Sequence, residues 1–166
     1  MNFLITNFIQ NQYPHYIIDL QSTEGVRNLI ITSFVIVLIL TLGKYLNKKS
    51  KLNLAKAICI LAIFLTLYSH LIDLINGNWW LHEDLPLHLC SISNLILCVI
   101  LFIPKNNKLF EFLFYCGFLG GLMAILTPQI NYYDGGFFMY YEYYINHGSI
   151  MLIPLFMFYQ LEMKLS

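Results

Sequence analysis

Charge is what this sequence has least of. Asp, Glu, Lys and Arg make up 11% of its 166 residues, against about 25% in a typical soluble domain. A water-exposed surface of this size needs more, so a soluble globular domain is excluded. The nine basic residues are balanced by nine acidic ones. No basic stripe interleaved with aromatics is present, and no nucleic-acid partner is expected. Cysteine is sparse as well. Cys59, Cys90, Cys98 and Cys116 stand singly in apolar stretches. Without a Cys-x-x-Cys pair they form neither a disulfide framework nor a zinc ribbon. Internal repeats and low-complexity tracts are missing. The first 20 residues lack a basic start and contain Asn, Gln and Pro14, so a cleaved signal peptide is not expected.

What fills the chain instead is hydrocarbon. Hydrophobic residues reach 58% and the mean hydropathy is +0.66. A helix needs about 20 mostly apolar residues to cross a hydrocarbon core about 30 Å thick. Five segments approach that requirement, near residues 26–45, 54–75, 85–103, 109–127 and 144–161. The last is the weakest and carries Pro154. Helix is the expected form, because lipid offers no partner for unpaired backbone groups. The predicted fold class is all-α: a polytopic transmembrane helical bundle, one domain over 1–166, multi-pass in the cell membrane. Residues 1–25 form an outer segment suited to the membrane surface.

Charge also sets the orientation. Lys44, Lys48, Lys49, Lys51 and Lys56 crowd the first connection, Lys105 and Lys108 the third, and Lys164 the C-terminus. The second and fourth connections hold Glu83, Asp84, Asp134 and Glu142, with no Lys or Arg. By the positive-inside rule the N-terminus lies outside; Arg27 alone is on the wrong side. Trp79, Trp80, Tyr132, Tyr133, Tyr140, Tyr141, Tyr143 and Tyr144 fall at the outer ends. They suit anchoring at the headgroup interface, or the wall of a lipid-headgroup site.

Polar groups within a span are expensive, so each needs a reason. His70 and Asp73, three apart, share a helix face near the outer end of the second segment. His88, Cys90, Ser91, Ser93 and Asn94 sit at the outer end of the third. Thr127 and Pro128 close the fourth, and His147 and Gly148 open the fifth. Four segment ends thus bring reactive groups to one depth. Some have a bland explanation. His15 and His82, in loops, read as wet or hydrogen-bonded side chains. Cys59, Cys98 and Cys116 read as small packing groups. His70 with Asp73 is either a structural hydrogen bond or an oriented base.

Cys90 is different. Pro86 fits the first turn of a helix and Asp84 is a candidate cap. Cys90 then lies near a helix N-terminus, where free N–H groups and the dipole favour a thiolate. His88 is two positions away and faces elsewhere. His147 or His70 is the easier proton acceptor. The set His70, Asp73, His88 and His147 offers nitrogen and oxygen donors for zinc, but no His-x-x-x-His spacing supports it. Neither a metal nor a cofactor is expected.

The string LPLHLCSISN, residues 85–94, resembles the signature of the YwaF family of bacterial integral membrane proteins, relatives of the eukaryotic transmembrane protein 164. Trp80 upstream agrees, as do Phe114-Tyr115-Cys116-Gly117-Phe118, Gly120, Gly121, Ala124-Ile125-Leu126-Thr127-Pro128, His147-Gly148 and Pro154. The resemblance covers residues 25–158. It implies an acyltransferase acting on membrane lipids, (lyso)phospholipids in particular. Cys90 would attack an ester and hold the acyl group as a thioester, with His147 and His88 as the histidines that shuttle the proton. Asn94 would steady the oxyanion. Ser91 is the reserve nucleophile, and His70, Asp73 and Pro128 are supporting residues. Members of that family continue through at least one more helix with an Asn-Tyr and a Lys-Pro motif. A partner chain or a second copy supplying those helices is therefore expected. The alternatives are a lipid-ester hydrolase, or a non-enzymatic membrane binding, assembly or small transport component.

Overall fold

A computed structural model describes residues 16–77, 79, 88–103, 106–131, 133 and 136–165. Pro14, His15, Trp80, His82, Glu83, Asp84, Pro86, Lys105, Tyr132 and Asp134, all singled out above, lie outside the described residues. Among those described, five helices follow one another. They are α1 (Thr23–Gly43), α2 (Lys48–Ile75), α3 (Leu89–Ile100), α4 (Asn107–Leu126) and α5 (Phe137–Gln160). Two short strands, β1 (Tyr16–Ile17) and β2 (Gln129–Ile130), pair antiparallel. Ile18 N–H extends that pairing by donating to the Pro128 carbonyl at 3.0 Å. Part of the segment before α1 is thereby tied to the turn after α4.

Short polar side chains set the helix starts. Ser22 accepts from Gly25 N–H at 3.0 Å, Asn47 from Ser50 N–H at 2.9 Å and Asn106 from Leu109 N–H at 3.3 Å. Each satisfies a donor that a helix N-terminus leaves open. The Asn47 cap moves the start of α2 from the expected 54 back to Lys48. Lys48, Lys49, Lys51 and Lys56 are therefore helical, and the loop itself is only 44–47. Lys56 lays its ammonium 4.8 Å from the centroid of the Phe102 ring. At its other end α2 stops at Asn76 and Gly77, with Gly77 at φ 71°, a left-handed conformation that suits glycine.

Among the described residues three helices are long and apolar enough to cross a membrane: α1, α2 and α4. The other two expected segments correspond to α3 and α5. α3 has 12 residues, fewer than the 85–103 read from the sequence. α5 has 24 residues but carries Asn146, His147 and a run of tyrosines. It also begins at Phe137, well before the expected 144, because residues 137–143 continue its face instead of forming a loop.

α5 touches each of the other four helices. Residues 148–154 are all buried, and Ile150, Ile153 and Phe156 are fully so. They pack on Ala55 and Cys59 of α2, Leu97 of α3, and Phe110 and Leu113 of α4. Pro154 sits inside the helix and is fully buried; neighbouring helices tolerate such a proline by shielding the freed carbonyl. α1 behaves oppositely. Ile30, Ile31, Phe34 and Val37 are exposed, a surface for lipid.

The seam between α4 and α5 depends on glycine. A Cβ on Gly121 would lie 2.6 Å from Met151 Cγ and 2.8 Å from the His147 carbonyl oxygen. Gly121→Ala should therefore cost about 1–3 kcal/mol by overpacking. Gly148→Ala, whose new Cβ meets only Thr32 Cγ2 at 3.5 Å, should be tolerated. Thermal unfolding in detergent measures both; equal midpoints would contradict the seam.

Candidate functional site

One end of the bundle encloses a cavity of about 710 Å³ between α2, α3 and α5, with β2 and Trp79 contributing. His70 and Asp73 reach it from α2. His88, Cys90, Ser91 and Asn94 reach it from α3, and His147 from α5. Every sequence-predicted site residue except Pro128 is thus brought to one space. Pro128 is fully buried beside it and acts through its carbonyl, which holds Ile18. Two further polar residues from the sequence reading are local. Ser93 Oγ donates to the Leu89 carbonyl at 2.7 Å and Thr127 Oγ1 to the Met123 carbonyl at 2.8 Å.

The start of α3 differs from expectation. Its N-cap is His88, with extended backbone at φ −72° and ψ 150° and no capping bond from its side chain. Cys90 is therefore the second residue of the helix, nearer the free N–H groups than a start at Pro86 would put it. Across from Cys90 stands Gly120 of α4, where a Cβ would sit 3.3 Å from Sγ. The adjacent Gly121 abuts the His147 carbonyl. Two consecutive glycines thus give room to the cysteine of α3 and to the histidine turn of α5.

His147 has a defined hydrogen-bonding state. Its Nδ1 lies 2.7 Å from the Tyr143 carbonyl oxygen. That oxygen can only accept, so Nδ1 carries a proton and Nε2 of the neutral ring keeps its lone pair. The Tyr143 ring stands 4.2 Å away, centroid to centroid. Tyr143 is itself fixed: its hydroxyl donates to the Ala124 carbonyl at 2.8 Å and accepts from Gln129 N–H at 3.3 Å.

Three contributors escaped the sequence reading. Asn146, buried, donates from Nδ2 to Thr66 Oγ1 at 3.0 Å and to Glu142 Oε1. Glu142 and Asn146 are four apart on α5, a spacing that puts two residues on one face. Assigning 137–143 to a loop hid that relation, and Thr66 carries no signal of its own. Asp73 and Glu142 give the cavity two carboxyl groups, and no Lys or Arg lines it among the described residues. His70 Nδ1, Asn94 Oδ1 and Asn146 Oδ1 are buried without a hydrogen-bond partner among the described residues. Such atoms are costly unless something supplies donors. Among the described residues no group of three or more His, Cys, Asp or Glu side chains is arranged to hold a metal ion.

A second polar cluster lies beside the cavity. Glu24 accepts from Tyr16 and Tyr140 hydroxyls at 2.7 and 2.6 Å. Asn28 Nδ2 donates to Tyr140 and Tyr144, and Arg27 donates to Tyr140 at 3.3 Å. The bond to the Glu24 carboxylate holds the Tyr16 phenol above its ordinary pKa. Tyr140, Tyr143 and Tyr144 are therefore bonded within the protein rather than simply anchored in headgroups, and Arg27 has a local partner. Tyr141, 58% exposed, keeps the anchoring geometry.

A small thiol reagent that enters the cavity should modify Cys90 in the folded protein. Cys59, which is 0% exposed in the core, should react only after denaturation. Peptide mass spectrometry before and after unfolding distinguishes them; equal labelling at both would refute the placement. Against known proteins, no curated protein and no solved structure matches this chain. Residues 20–166 match the TMEM164 family. The match runs from just before α1 through every helix that walls the cavity, and the chain belongs to the TMEM164 family.

Proposed function

We propose that the chain is a lipid acyltransferase of the cell membrane, with Cys90 as nucleophile and His147 as base. The observation that carries this reading is the fixed tautomer of His147, whose Nε2 lone pair is available in the cavity that Cys90 lines. Nε2 takes the thiol proton, and the sulfur attacks the ester carbonyl of a membrane lipid. The tetrahedral oxyanion is met by N–H groups of the first turn of α3 and by the Asn94 amide. Among the described residues no Lys or Arg lines the cavity, so these dipoles carry that task. Collapse releases the donor's alkoxide, which recovers the proton from His147 and leaves an acyl thioester. In the second half His147 deprotonates the hydroxyl of a lysolipid. That oxygen attacks the thioester, and the departing thiolate is reprotonated.

Asn94 Oδ1 and Asn146 Oδ1, acceptors without a partner among the described residues, suit a substrate with hydroxyl donors, and His70 Nδ1 can bond to the same hydroxyls as donor or acceptor. Asp73 and His70 line the cavity from α2, His88 lines it from the start of α3, and Ser91 is the reserve nucleophile. The lysine-poor cavity end lies outside by the positive-inside rule.

Cys90→Ala should abolish both transfer and the hydroxylamine-sensitive acyl label. His147→Gln should slow transfer by about 10²–10⁴-fold. Exchange of a labelled acyl chain between phospholipid and lysophospholipid in vesicles measures the rate. An acyl label that persists in Cys90→Ala sinks the reading. A non-enzymatic membrane component would leave both variants at wild-type behaviour, and release of free fatty acid would make water the acceptor.

A further inference from the structure

The cavity changes character along the bundle. Next to His88 and Cys90 it is walled by His70, Asp73 and Ser91. Further in, its walls on α2 and α3 become mostly apolar, with Ile63, Leu67, Leu95 and Cys98, while Thr66 between them accepts a hydrogen bond from Asn146 of α5. Seven residues separate His70 from Ile63 and eight separate Cys90 from Cys98. At 1.5 Å per residue the inner end therefore lies about 11–12 Å below the polar end. That is most of the roughly 15 Å occupied by one leaflet's hydrocarbon.

Leu67 and Leu95 both line this inner half and are nevertheless 64% and 53% exposed. A residue can do both only at the rim of an opening, so the cavity opens sideways between α2 and α3. Water in an apolar slot beside lipid tails is unfavourable. A partner helix is too wide, at about 10–12 Å with side chains, to enter between two helices that already touch. An extended hydrocarbon chain matches the depth and needs far less width than a helix.

We infer that the inner half of the cavity binds a single fatty acyl chain, admitted laterally from the bilayer between Leu67 and Leu95, with Ile63 and Cys98 setting the chain length that fits. The binding part stands on the cavity's shape and lining. The chain-length part rests on the transfer reaction proposed above, because it needs the carboxyl carbon beside Cys90.

The test uses the full chain in phosphatidylcholine vesicles doped with phosphatidylcholine that carries a diazirine at mid-chain. On irradiation, peptides containing residues 63–67 and 95–98 should carry adducts several-fold above those containing Leu119 and Met123. Those two α4 residues are 56% and 57% exposed and are not among the residues that line this cavity. Ile63→Trp and Cys98→Phe should each lower the slot adducts and spare the α4 ones. In the transfer assay Cys98→Phe should favour shorter chains. Cys90→Ala should keep the full adduct pattern, so lost transfer with retained cross-linking separates the slot from the chemistry. Equal labelling of α4 and the slot in the wild type overturns the inference, whatever the variants do.

Discussion

The structure depends on burying a polar helix among apolar ones. α5 carries Asn146, His147, Ser149 and Gln160, residues that would be costly against lipid. Surrounding it with α1 to α4 removes that cost only if each polar group finds a partner. Gln160 Nε2 donates to the Leu40 carbonyl at 2.9 Å, which fastens the inner end of α5 to α1. Asn146 joins α2 through Thr66. The Tyr143 hydroxyl joins the end of α4. These bonds fix the rotation of α5 about its axis, and with it the direction in which His147 looks.

The surrounding helices could be read from hydropathy because they face lipid. α1, α2 and α4 present leucine, isoleucine and phenylalanine outward, and that is the property a hydropathy pattern records. α5 faces protein, so its polar residues weakened the same signal and displaced its start. Its tyrosines looked like interface anchors because composition does not reveal which way a phenol points. The convergence at one end was legible for a simpler reason. His70, Asp73, His88, Cys90 and His147 are each anomalous within a span, and alternation of the segments puts anomalies at matching depth. Glu142, Asn146 and Thr66 were missed because the first was assigned to a loop and the last is neutral. Gly120 and Gly121 figured only as part of a resemblance. Their meaning is a missing volume, which no sequence position displays on its own.

The two polar clusters share α5 and divide its first turns between them. Tyr140 and Tyr144 face α1, where Glu24 and Asn28 hold them. Glu142, Tyr143, Asn146 and His147 face the cavity. The cluster against α1 also engages Tyr16, in the strand that pairs with β2, and the backbone N–H of Gln129 in β2 donates to Tyr143. A continuous run of hydrogen bonds and strand pairing therefore links the segment before α1 to the residue that accepts from His147. Ordering of that segment and orientation of the histidine are parts of one packing arrangement.

α4 contains a π turn at Leu113–Gly117, one residue more than a regular helical turn accommodates. Each residue advances a regular helix by about 100°, but the wider turn absorbs the extra residue, so the helix after it is not turned by that amount. Phe110, before the turn, faces the core; Gly120 and Gly121, after it, face Cys90 and His147. The wider turn thus lets both halves keep their faces with one more residue between them. Loss of one residue within it would restore an ordinary helical turn and leave Gly120 and Gly121 facing the cysteine and the histidine, whereas the same loss in the regular helix at Leu119 would carry them about 100° away.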